Sequence, residues 1–189
     1  MKGIVLAGGK SKRFGEDKAL ARWQGMTFIE RIVQTVRQLD LDPVIVANRD
    51  YSINCRIERD LVPDRGPLGG LFTACRLFPS DSLLVLTCDM PFVQLDLLKK
   101  LISVHKRKNL LTVFSDVGSG LNPFPGVYEG NIRNLIQLRL EMGDLSMTDL
   151  VREIEPKELI QANFLSPDFG NINTKEDFQK CTQPREIAQ

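Results

Sequence analysis

Between Leu6 and Lys18 the chain reads LAGGKSKRFGEDK. Gly8, Gly9 and Gly15 fall in this stretch with the cations Lys10, Lys12, Arg13 and Lys18, directly after the apolar run Ile4-Val5-Leu6. Glycines let backbone N–H groups approach an oxyanion closely, while Lys and Arg add mobile charge, Arg in bidentate geometry. The chemistry these residues suit is phosphate binding. Neither familiar phosphate motif fits. G-x-x-x-x-G-K-[ST] would need its first glycine at Ile4, and G-x-G-x-x-G fails because Gly8 and Gly9 are adjacent. A polar strand-to-helix turn has a similar composition, so composition alone leaves both readings open.

Two carboxylates stand in comparable positions. Asp89 follows the Leu-rich run of Ser82–Cys88 and precedes Met90-Pro91. Mg²⁺ takes one or two protein carboxylates beside phosphate oxygens, so Asp89 suits a nucleotide–metal complex, and equally a turn cap. Asp64, in PDRGPLGG, has the same two readings. His105 is the single histidine and opens the basic run His105-Lys106-Arg107-Lys108, which reads as a solvated helix end. That leaves no histidine for a Ser-His-Asp or Cys-His device. Trp23 and Phe28 read as packing residues.

The elements that must position these residues follow from the apolar pattern. Ile4-Val5-Leu6, Val44-Ile45-Val46, Ser82–Cys88 and Leu110–Phe114 read as strands, with a short extended segment near Leu61. Helices are predicted over Thr27–Leu39 with Thr27 as N-cap, over Gly66–Phe78, and through Leu95, Leu98, Leu101 and Ile102. After Gly118 the alternation loosens. A short Gly126–Tyr128 strand, helices over roughly Asn131–Leu140 and Ser146–Ile154, and a strand near Glu158–Ala162 complete the pattern. Strands alternating with helices predict a single-domain α/β three-layer sandwich with a Rossmann-like, mainly parallel sheet. In such a sheet ligands collect at the carboxyl ends of the strands, and all three glycine- or aspartate-bearing loops follow predicted strands. The domain is expected over residues 1–181, with 182–189 as a flexible tail.

Composition bounds the partners. Twenty-five Lys and Arg against 24 Asp and Glu give a net charge of +1, which argues against nucleic acid or a membrane surface as partner. No apolar stretch approaches the ~20 residues of a membrane span, and the opening residues lack the pattern of a secretory signal. Cys55, Cys75, Cys88 and Cys181 show no metal-binding spacing and read as buried thiols in a reducing cytoplasm.

Leu6 through Leu20 resembles the signature of the molybdenum cofactor guanylyltransferases, approximately L-A-G-G-x-S-x-R-[MF]-G-x-D-K-A-L, at every fixed position. DRGPLGGL (Asp64–Leu71), TCDMP (Thr87–Pro91), PFPGVY (Pro123–Tyr128) and NINTKED (Asn171–Asp177) extend the resemblance over nearly the whole chain. It implies a nucleotide-diphospho-sugar transferase type of fold. It also implies transfer of GMP from GTP to the phosphate of molybdopterin, already carrying molybdenum, with release of pyrophosphate. Leu6, Ala7 and Gly8 would then line the nucleotide pocket, Lys18 and Asp64 would contact the nucleotide, and Asp89 would hold Mg²⁺. Arg13 and Lys18 would offset charge during transfer, and Asn171 and Asn173 would serve the metal or pterin side. Val46 aligns with the residue that reads the base in some members, so the choice of guanine is not carried by a residue that matches. A cytidylyltransferase using CTP and a non-catalytic nucleotide-binding module share the fold. A delivery or adaptor protein for the product is a further implied partner.

Overall fold

The computed structural model describes residues 1–8, 17–116 and 120–162, together with Phe169, Ile172 and Asp177. The first half of the chain forms β1 (Lys2–Leu6), the hairpin β2 (Arg22–Trp23) and β3 (Met26–Thr27), α1 (Phe28–Arg37), β4 (Pro43–Ala47), β5 (Arg56–Arg59) and α2 (Gly66–Leu77). The second half forms β6 (Ser82–Thr87), α3 (Leu95–Val104), β7 (Leu111–Asp116), β8 (Gly120–Glu129), α4 (Arg133–Met142), α5 (Met147–Glu153) and β9 (Lys157–Gln161). Seven strands make one sheet in the order β5-β4-β1-β6-β8-β7-β9. Only β8 runs antiparallel to its neighbours. β1 thus sits inside the parallel half, with β4 and β6 on either side.

The central strands are apolar throughout because both faces are covered. Ile4, Leu6, Val44, Val46, Leu83 and Val85 point to one side and pack with Leu68, Leu71 and Cys75 of α2, Ile136 of α4 and Leu150 of α5. Val5, Ile45, Leu84 and Leu86 point to the other and pack with Ile29, Ile32, Val33 and Val36 of α1 and Leu98 and Leu101 of α3. This is the three-layer sandwich expected. α1 starts where its cap predicts. Glu30 N–H donates to Thr27 Oγ1 (3.3 Å) and Thr27 N–H to Glu30 Oε2 (2.6 Å), a reciprocal capping box. The bonds that the Thr27 N–H and the Thr27 hydroxyl (2.7 Å) donate to the Glu30 carboxylate hold Glu30 below the usual carboxylate range.

Three expectations need correcting. β8 spans ten residues rather than three, because Pro123 and Pro125 lack ladder donors and break the alternation that marks a strand. The pairing register with β7 shifts between Val113 and Phe114, where those prolines lie opposite. The extended segment expected near Leu61 is β5, whose sequence RIER carries one apolar residue because it forms an edge of the sheet. His105 is not solvated: its side chain is 3% exposed. Nδ1 lies 2.8 Å from Thr112 Oγ1 and Nε2 2.8 Å from Glu129 Oε1, which also accepts from the Ser82 hydroxyl. Lys106, Arg107 and Lys108 are exposed as predicted. His105 therefore fastens the end of α3 to β7 and β8 beside Ser82, at the amino end of β6 and away from Asp89.

Candidate nucleotide site

The carboxyl end of β1 opens the site. Ala7 N–H donates to the Val46 carbonyl of β4 at 2.9 Å, and the Leu6 carbonyl accepts from Cys88 N–H beyond β6 at 3.1 Å. Leu6 and Ala7 are thereby fixed between two strands, while Gly8 steps into solvent. Among the described residues, nothing lies within 4 Å of where a Cβ on Gly8 would stand. Leu6, Ala7 and Gly8 are the first group of predicted site residues.

Lys18 returns to the same edge. It begins a single 3₁₀ turn, Lys18–Leu20, capped by Asp17, whose Oδ1 accepts from Ala19 N–H at 3.0 Å. Asp17 Oδ2 takes the Arg49 guanidinium at 2.7 Å and lies 3.3 Å from the Tyr51 hydroxyl. Lys18, Asp17 and Asp89 all lie within electrostatic reach of the Cys88 thiol. Burial first, then the Asp89 charge, push that thiol up to about 12, against the pull of Lys18. Cys88 is therefore a neutral packing group, not a nucleophile or a thiolate ligand.

Asp89 follows β6 in the turn that Met90 N–H closes onto the Thr87 carbonyl at 3.2 Å. Its Oδ1 accepts from the Thr87 hydroxyl, and its carbonyl accepts from Ile172 N–H at 2.7 Å. Ile172 is buried against Phe28, with Trp23 and Phe92 packed on the same cluster. Trp23 and Phe28 are packing residues, as predicted, and they brace the segment that carries Asp89. The turn-cap and ligand readings of Asp89 are compatible: its Oδ1 is engaged by its own turn, and the residue is only partly buried.

Asp64 reaches the same end of the sheet by the β5–α2 connection. It is exposed, in the left-handed region at φ 63°, followed by Gly66 at φ 61°. The connection is tied down by Asp60, whose Oδ1 accepts from Val62 N–H at 3.1 Å and from the Thr73 hydroxyl of α2 at 2.9 Å. The glycine pair that follows has a reason. A Cβ on Gly69 would lie 2.7 Å from the Val62 carbonyl oxygen, and one on Gly70 would lie 3.0 Å from Leu6 Cδ2. Two bare positions let the first turns of α2 lie against both the Asp64 loop and the end of β1.

The chain as a whole has known counterparts. Residues 3–157 match the family model of the MobA-like NTP transferase domain, well over half of the chain. The chain belongs to the MobA-like NTP transferase family. The "Probable molybdenum cofactor guanylyltransferase" of Flavobacterium johnsoniae is 33% identical over 92% of this chain and 92% of its own. That of Bacillus cytotoxicus is 31% identical over 93% of each. The fold matches the molybdopterin-guanine dinucleotide biosynthesis protein A of Archaeoglobus fulgidus with a TM-score of 0.80, at 20% identity over 96% of both chains. A nucleotidyl transferase from Methanothermobacter matches with a TM-score of 0.74, at 18% identity over 95% of this chain and 94% of that one.

Within this MobA-like frame, the structure sets Leu6, Ala7, Gly8, Lys18 and Asp89 around adjacent strand ends, with Asp64 on the neighbouring connection. Arg13, Asn171 and Asn173 lie outside the described residues. Val46 is buried in the sheet core at 1% exposure, so its side chain cannot read a base, and Asn48 is exposed just beyond β4. Sequence reasoning missed Tyr51 and Asp60. Tyr51 reaches Ala7 and Asp17, and Asp60 reaches Thr73 of α2, contacts that no local pattern announces. Among the described residues no group of three or more His, Cys, Asp or Glu is placed to hold a metal, and no helix is long and apolar enough to cross a membrane.

Proposed function

We propose that this MobA-like chain is a molybdenum cofactor guanylyltransferase, joining GMP from GTP to the terminal phosphate of molybdopterin with release of pyrophosphate. The observation that carries it is that Lys18 and Asp89 both lie within electrostatic reach of Cys88 just beyond β6, with Gly8 exposed beyond the neighbouring end of β1. The relatives named for this activity match along nearly their full length and support the choice of acceptor.

The chain's own groups divide the work in this reading. Backbone groups at Ala7 and Gly8 border the triphosphate, and the Lys18 ammonium faces its negative charge. Asp64 contacts the nucleotide from the β5–α2 connection, and Arg13 adds a second cation. No side chain has to remove a proton, because a phosphate monoester has a second pKa near ~6 and is already an anionic nucleophile at neutral pH. Catalysis then rests on positioning and on offsetting charge.

Mg²⁺ suits this donor set. Asp89 offers a hard carboxylate oxygen, no sulfur or imidazole cluster competes among the described residues, and phosphate oxygens supply remaining ligands. When bound it would offset charge on the α-phosphoryl group and the departing pyrophosphate. Asp89 would hold it, with Asn171 and Asn173 on the metal or pterin side. The reading places the enzyme in the cytoplasm, which accords with free thiols at Cys55, Cys75 and Cys88.

The test is the fate of labelled phosphate. With anaerobic molybdopterin, label at the α-phosphate of GTP should move into the pterin product, and label at the γ-phosphate should leave in pyrophosphate. Alpha-label found only in free GMP would mean hydrolysis, and the reading would fall.

A further inference from the structure

One side chain from a distant part of the sequence touches both described flanks of the glycine-and-cation stretch. Tyr51 lies in the β4–β5 connection and is 7% exposed. Its hydroxyl stands 3.2 Å from the Ala7 carbonyl oxygen and 3.3 Å from Asp17 Oδ2. Both partners are acceptors and a phenol has one proton, so Tyr51 shares that proton between the two flanks. Burial, followed by the Asp17 charge, raises the Tyr51 pKa, which keeps the donor in place at any physiological pH.

Asp17 is the junction of this arrangement. It caps the turn that starts at Lys18, pairs with Arg49 at 2.7 Å, and receives Tyr51. The Arg49 side chain is 56% exposed, so solvent and salt screen that pair. The Tyr51 contact is the interior one. It also joins Asp17 to β1 itself, through Ala7, so the Lys18 turn keeps a fixed position relative to the strand end.

We propose that Tyr51 is a positioning residue of the nucleotide site, linking Ala7 to Asp17 so that Lys18 is held ready for a triphosphate before it binds. The proposal rests on the nucleotidyltransferase reading. A tie of this kind raises the population of the binding-competent arrangement, and apparent affinity falls by the same factor when that population falls. The expected phenotype is therefore in KM and Kd rather than in kcat.

Tyr51→Phe removes the hydroxyl and keeps the ring that packs in the core. GTP with Mg²⁺ should bind it about tenfold more weakly than wild type by calorimetry without acceptor, and KM should rise by a similar factor with kcat within about twofold. Because the effect passes through Asp17, it should shrink below about threefold in an Asp17→Asn background. Wild-type affinity in Tyr51→Phe, or a lowered Tm with unchanged KM and Kd, would overturn the proposal. So would an undiminished tenfold loss in the Asp17→Asn background. If wild type binds GTP but does not guanylylate molybdopterin, the functional reading fails while the affinity comparison still decides the role of Tyr51. A wild-type protein that bound no nucleoside triphosphate would overturn both.

Discussion

Asp89→Asn is expected to lower kcat by about three orders of magnitude, ~4 kcal/mol of transition-state stabilisation, while Kd for GTP changes by less than about threefold. The substitution is close to isosteric. An Asn Oδ1 still accepts from the Thr87 hydroxyl, and the backbone carbonyl still accepts from Ile172 N–H. The turn after β6 therefore survives, and what disappears is the negative charge at the strand end. In the proposed site nucleotide affinity would be spread over the β1 backbone, Lys18 and Asp64, so binding should persist when turnover does not. Single-turnover kinetics with saturating GTP and molybdopterin, across a Mg²⁺ titration, measure the two effects separately. A variant rate within tenfold of wild type would remove Asp89 from the metal and from catalysis.

Lys18→Ala should act mainly on the nucleotide. Hydrogen bonds to charged groups contribute about 1.5–3 kcal/mol, so KM for GTP should rise by roughly 10- to 100-fold. The Asp17 cap of the 3₁₀ turn uses the Ala19 backbone and does not depend on the lysine side chain, so the local fold is kept. Salt supplies an internal control. In wild type, raising ionic strength should weaken GTP binding through screening of the ammonium–phosphate attraction, and that slope should be shallower in Lys18→Ala. Lys18→Arg should recover only part of the affinity, because a planar fork on a longer stem does not replace a compact ammonium on a fixed turn. An unchanged KM and an unchanged salt slope would place Lys18 outside the triphosphate site.

The sheet was legible where each strand is buried on both faces. Val44-Ile45-Val46 and Ser82–Cys88 read as strands because α helices cover both sides, and α1 was legible from Thr27 as its N-cap as well as from its apolar face. Legibility fell off where tertiary context replaces pattern. Arg56–Arg59 is a strand because β4 pairs with it, although its own residues are polar. Gly120–Glu129 is one long strand in spite of two prolines, because β6 and β7 hold it from either side. His105 sits among exposed cations in sequence, yet Glu129, 24 positions on, draws its ring inward.

The site divides in the same way. Gly8, Lys18, Asp64 and Asp89 stand out in the sequence by residue type and by their position after strands, and the family resemblance, not spacing alone, gives them nucleotide and metal roles. Tyr51 does not stand out, because its partner Ala7 lies 44 positions away and a tyrosine in a connection carries no pattern of its own. The glycine pair Gly69-Gly70 was legible as part of a motif, but its cause is a packing fact: the helix lies against the Val62 carbonyl and Leu6. At the position where some relatives read the base this chain has Val46, and the fold buries that side chain in the core, in keeping with the absence of a matching residue there.

The most direct measurement of the central claim is pyrophosphate release by the purified protein, kept anaerobic with Mg²⁺ and molybdenum-loaded molybdopterin, with GTP, CTP and ATP offered separately. Acceptor-dependent release with GTP, and not with CTP or ATP, is the predicted result. Release with CTP alone would contradict the guanylyl assignment and move the chain to cytidylyl transfer, and no release with any of the three would contradict the assignment of a molybdopterin nucleotidyltransferase.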